Sequence, residues 1–133
     1  MSGANSLLRV ILAVFSLVLA LPAGAHHSAA VFYNTDDEPI SITGTVAKFN
    51  FRNPHAIVEL IVTTDTGEEQ RWTCETSAPS ALRRRGWSQE VMQEGETMTL
   101  WGIRARDGSF LMRITRAIKA DGTEIGVSRN LND

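Results

Sequence analysis

Apolar and polar residues follow three regimes along this chain. Val10 to Leu21 is a nearly unbroken apolar run, closed by Pro22 and the small residues Ala23-Gly24-Ala25. Residues 26–39 are mostly polar, with one apolar patch at Val31, Phe32 and Tyr33, and read as an extended arm. From Ile40 onward the spacing is that of strands. Ile40, Ile42, Gly44, Val46 and Lys48 fall on one face of the first strand, with Ser41, Thr43, Thr45, Ala47 and Phe49 on the other. His55 to Thr63 is rich in β-branched residues, with Ala56, Val58, Leu60 and Val62 on its core face. Asp65-Thr66-Gly67 then turns the chain into a return strand, Gln70 to Glu75.

The pattern changes at Ser77. Ser77 is placed as an N-cap, Pro79 suits the first helical turn, Arg83-Arg84-Arg85 suits the last, and Gly86 ends the helix. A second short helix is expected from Ser88 to near Gly95, with Trp87 and Met92 as its hydrophobic staple. Two further strands follow, Thr97 to Arg106 and Phe110 to Lys119, joined at Asp107-Gly108. Three strands, one or two short helices and two strands predict a mainly β domain, a small OB-like five-stranded barrel. A half-open sheet with the helix on one face is the competing architecture. Gly44 in mid-strand favours the barrel, which needs a sharp bend there.

The first regime changes the picture of where the chain works. Arg9 before an apolar run and an A-x-A-like site after it compose a secretory signal, cut after Ala25. The run is shorter than the about 20 apolar residues of a spanning helix. The expected organisation is therefore a signal peptide at 1–25, an arm at 26–39, a β-domain at 40–120 and a polar tail at 121–133. Its compartment is periplasmic or extracellular, with no membrane span left after cleavage. The whole chain carries 13 Lys+Arg and 15 Asp+Glu. Losing Arg9 makes it slightly more acidic, which gives no general reason to expect nucleic acid. The arginines at 83–85 are read as a solvated helix end, since Trp72, Trp87 and Trp101 are spaced as core or staple residues. Cys74 is the only cysteine, so no intrachain disulfide forms, and burial as a small hydrophobe is its expected state.

Cleavage after Ala25 would make His26 the first residue, and that alters its chemistry. A free α-amine has an ordinary pKa of about 8 and is readily deprotonated near neutrality. The amine and the ring Nδ1 of His26 could then chelate one ion, with His27 or His55 adding a third nitrogen. Nitrogen-rich tetragonal sites suit Cu(II), which also heads the divalent affinity order, so copper (Cu2+) is the expected metal. Glu75 or Glu59 could take an outer position, and Cys74 would favour Cu(I) or zinc if its sulfur faced the site. Each ligand has a structural alternative. His26 and His27 could be a solvated chain start, His55 could simply bond the Asn53-Pro54 turn, and Glu75 could pair with Arg83, Arg84 or Arg85. No Ser-His-Asp order with a nucleophile elbow, no H-E-x-x-H, no phosphate-cradling glycine loop and no C-x-x-C is present, so binding is expected over turnover. The alternatives are a metal-independent module for a periplasmic protein or small ligand and, last, a copper redox enzyme.

His26-His27-Ser28, Gly44-x-Val46, Asn53-Pro54-His55, Trp72-x-x-Glu75, Pro79-x-x-Leu82, Arg84-x-Gly86-Trp87, Gly95, and Gly102 with Ala105-x-Asp107-Gly108 together resemble the bacterial DUF6152 family. The resemblance covers nearly the whole chain after Ala25. It implies an exported, OB-like β-domain and brings no assigned activity. His26, His27, His55 and Glu75 match the family's polar motif positions. Phe51 stands where relatives commonly have tryptophan, and Ala29 where an aromatic often follows His-His-Ser, so an aromatic wall beside the site is not implied here.

Overall fold

A computed structural model describes residues 29–126 of the chain. The segment expected to be a signal peptide, His26 and His27 lie outside the described residues. After a single helical turn, α1 (Ala29–Phe32), come β1 (Ile40–Asn50), β2 (Ile57–Thr63) and β3 (Glu69–Glu75). The helix α2 (Pro79–Arg83) leads to β4 (Thr97–Arg104), β5 (Leu111–Lys119) and a two-residue strand, β6 (Glu124–Ile125).

The strands lie in the order β3-β2-β1-β4-β5-β6, and β3 also pairs with β5. That extra pairing closes the first five strands into a barrel of OB-like order. Every adjacent pair is antiparallel except the closing one, which is parallel: Thr73, Cys74 and Glu75 face Leu111, Met112 and Arg113. Long β1 serves two neighbours. Ile40 to Thr45 pairs with β4, and Thr45 to Asn50 with β2. Gly44 sits where the neighbours change, and a Cβ built there would strike the carbonyl of Ile61 on β2. Main chain cannot step aside as a flexible side chain can. Gly44→Ala is therefore expected to cost about 1–3 kcal/mol of unfolding free energy, the usual range for overpacking, read from a urea melt.

Alternation on β2 holds, with Ala56, Val58 and Leu60 all fully buried. On β1 it breaks. A register shift between Val46 and Lys48 puts an extra residue into the strand. Such a bulge turns the following side chains over, so Phe49 joins Val46 in the core instead of facing away from it.

Several expectations need correction. Ser77 does not cap α2. Ala78 holds that position without a side-chain bond, and Ser77 is buried with its carbonyl accepting from the Ala56 N–H. No helix forms after Ser88. Trp87 and Met92 are buried as the staple reading required, but Ser88 to Gly95 is a series of turns, and the Ser88 hydroxyl accepts from the Glu90 N–H. The arm is not extended throughout, since Ala29–Phe32 is helical and Tyr33 is a core residue bridged to Ala105. Nor does order stop at residue 120. Ile125 is buried, β6 pairs with β5, and the Trp87 indole N–H donates to the Gly126 carbonyl.

Candidate functional site

The seam that closes the barrel also assembles its most polar cluster. Glu75 ends β3 between two partners in register, Ile57 on β2 and Arg113 on β5. Successive strand residues point to opposite faces. Cys74 and Met112 therefore enter the core, where both are fully buried, while Glu75 and Arg113 share the outer face. His55 lies two residues before β2, just past a cis Asn53–Pro54 peptide, and so reaches the same corner.

Four side chains meet there. The Arg113 Nη1 donates to Glu75 Oε1 at 3.0 Å and to the Thr76 carbonyl at 2.7 Å. Tyr33 reaches in from the arm, and its hydroxyl donates to Glu75 Oε2 at 2.7 Å. The Nδ1 of His55 stands against Glu75 Oε1 as an ion-pair contact. A carboxylate can only accept here, so in the neutral ring Nδ1 carries the proton and Nε2 keeps its lone pair. This is the arrangement by which a carboxylate fixes a metal-binding or proton-accepting histidine. His55 retains 41% of its side-chain exposure, against 5% for Arg113. The cation and carboxylate are sunk, and the imidazole is left facing water.

Burial, then the bond to Glu75, pushes the Tyr33 hydroxyl well above its usual range, so Tyr33 serves as a donor throughout the physiological range. The Cys74 thiol is pushed up to about 12 by burial alone. It stays protonated in the core and does not face the site, which removes it as a soft ligand. Glu59, the other carboxylate considered, is paired with Arg71 at 3.0 Å on the barrel surface.

The structure thus joins two of the four residues singled out from the sequence, His55 and Glu75. The guanidinium that meets Glu75 is Arg113. Of the arginines at 83–85, Arg83 lies over the Phe51 ring at 5.1 Å. Among the described residues no group of three or more His, Cys, Asp and Glu is gathered as a metal cage. Tyr33 and Arg113 were not anticipated. Arg113 had one available signal, a lone charge inside the otherwise apolar stretch Leu111-Met112-Arg113-Ile114.

A family profile described as a family of unknown function, DUF6152, matches residues 14–112. The chain belongs to the DUF6152 family. No curated protein matches it. The DUF6152 match takes in His26, His27, Tyr33, His55 and Glu75 and ends one residue before Arg113. Phe51, the departure noted from the DUF6152 pattern, is buried against Phe49 at 5.7 Å between ring centres. It belongs to the hydrophobic core cluster.

Proposed function

We propose that this chain is an exported binding protein of the periplasm or extracellular space that holds copper, or a similar divalent metal, as carrier, buffer or sensor. The ligands are His26, through its freed amine and ring, and the Nε2 of His55, with His27 as a further nitrogen donor. Glu75 serves mainly by orienting His55, because both its oxygens already accept from protein donors.

One observation carries the reading: His55 is held through Nδ1 by the half-buried Glu75, itself paired with Arg113, while the imidazole keeps 41% of its side-chain exposure. Reach supports it as well. Tyr33 is bonded to Glu75, and the Tyr33 N–H closes a turn on the Ala29 carbonyl at 2.9 Å, so Ala29 stands one helical turn from this corner's tyrosine. His27 lies two residues earlier in the chain, and each residue spans at most about 3.5 Å.

The test is a competition titration of Cu(II) into protein beginning at His26. His55→Ala is expected to weaken binding by roughly tenfold or more, and equal affinity would remove His55 from the site. Mass spectrometry of the exported product should find His26 at its start. A second reading, a metal-independent interaction module, draws on exposed Val31 and Phe32 in α1, 66% and 52% accessible. It predicts that partner capture survives His55→Ala and fails when Val31 and Phe32 are made polar.

A further inference from the structure

Among the described residues the large apolar side chains left exposed are Val31, Phe32 and Phe110, at 66%, 52% and 42%. Though far apart in sequence, they meet at one end of the barrel. The Tyr33–Ala105 bridge runs the arm antiparallel to residues 104–106, and the Arg106 N–H donates to the Phe32 carbonyl at 3.0 Å. The Ala105 N–H in turn donates to the Leu111 carbonyl at 2.9 Å, which sets Phe110 opposite Arg106 across the β4–β5 hairpin. Two arginines are fixed in this patch. The Arg106 Nε donates to the Ala30 carbonyl at 2.8 Å. The Arg104 guanidinium lies over the Phe110 ring at 5.9 Å, and its Nε donates to the Ser109 carbonyl at 3.2 Å. These carbonyls position the cations without neutralising them.

The matching acid lies further along the arm. The chain turns at Asn34, closed by the Asp37 N–H on the Asn34 carbonyl at 2.9 Å, and Asp36, Asp37 and Glu38 are exposed. Among the described residues no ion pair engages these three carboxylates or Arg106. Asp107, beside Arg106, is already taken by the N–H and hydroxyl of Ser109. Because the arm is antiparallel to 104–106, Arg106 stands at the Phe32 end of the paired segment and the acidic turn follows the Asn34 end. A face ordered in this way is self-complementary. A two-fold axis sets each Arg106 against the other copy's acidic turn and closes Val31, Phe32 and Phe110 over their counterparts. We propose that this face binds a second copy of the chain as an isologous dimer. Apolar burial supplies the attraction, and the crossed charges fix the orientation. The inference is independent of the metal reading; it rests on the interaction-module reading and names the occupant of that surface.

The experiment is sedimentation equilibrium of protein beginning at His26, in which the mean mass should climb toward that of a dimer as concentration rises. Arg106→Glu in one variant, and Asp36→Arg with Asp37→Arg in another, are each expected to weaken self-association by roughly tenfold or more, because like charges then face each other. An equimolar mixture of the two variants should regain the original association, since each carries the charge its partner now lacks. That recovery also shows that both variants fold. A monomer at every concentration overturns the inference, and so does a dimer that both variants leave intact. Variants that melt normally in urea yet fail to recover on mixing overturn it too. Monomeric protein that still captures a different partner through Val31 and Phe32 would overturn the second copy as occupant and leave the interaction-module reading standing. Loss of that capture as well would remove both.

Discussion

Arg113→Met is expected to lower the unfolding free energy by about 3 kcal/mol, the lower end of what breaking a buried ion pair costs. Arg113 is 4% exposed, so its guanidinium has left water almost entirely and is compensated by Glu75 and the Thr76 carbonyl. Removing it strands two acceptors. The carboxylate keeps 23% of its side-chain exposure, and the Tyr33 and His55 donors remain, so desolvation is not total and the upper end of the range is not reached. The location adds to the effect, because this pair sits on the parallel pairing that closes the barrel.

A urea melt reads the loss. The double variant Glu75→Gln/Arg113→Met should recover part of it, since a neutral amide tolerates the corner without a cation better than a carboxylate does. A single-variant cost below about 1 kcal/mol would place the pair with ordinary surface bridges.

The barrel was legible because its signals are local. Alternation at Ala56, Val58 and Leu60, the turns at Gly67 and Gly108, and Pro79 with Gly86 around α2 each act within a few residues. Both turn glycines and Gly86 adopt positive φ, as those turns require. The failures are places where distant chain decides. Gly44 marks where β1 leaves β4 for β2, but nothing in the local pattern marks the extra residue of the bulge before Lys48. Trp87 and Met92 looked like a helix staple because the core they enter does not require a helix to present them.

The site divides in the same way. His55 and Glu75 stand out as polar types beside a proline turn and a strand end. Arg113 and Tyr33 are drawn to Glu75 by strand pairing and arm docking across about 40 residues of sequence, separations of 38 and 42. Tyr33 was hidden further, because an aromatic next to Val31 and Phe32 reads as apolar surface. Its hydroxyl becomes informative only once the half-buried carboxylate of Glu75 is known to face it.

Acetylating the α-amine of protein that begins at His26 is expected to weaken Cu(II) binding by roughly a hundredfold or more. The argument is one of effective concentration. In protein that begins at His26, amine and ring nitrogen belong to one residue, so once the first bond forms the second donor is already at hand and closes a chelate ring. Losing such a linked contact costs on the order of 10²–10⁴ in affinity without removing any side chain. The acetyl cap retains both imidazoles and leaves the barrel, the Glu75 network and His55 as they are. Stability should therefore be unchanged in the urea melt that detects Arg113→Met. Competition titration against a chelator of known Cu(II) affinity distinguishes the outcomes. A large fall with an intact fold assigns the tight site to the freed amine. Equal affinities would mean that the imidazoles bind without it, and any remaining site would be centred on His55, where Glu75 already holds the ring.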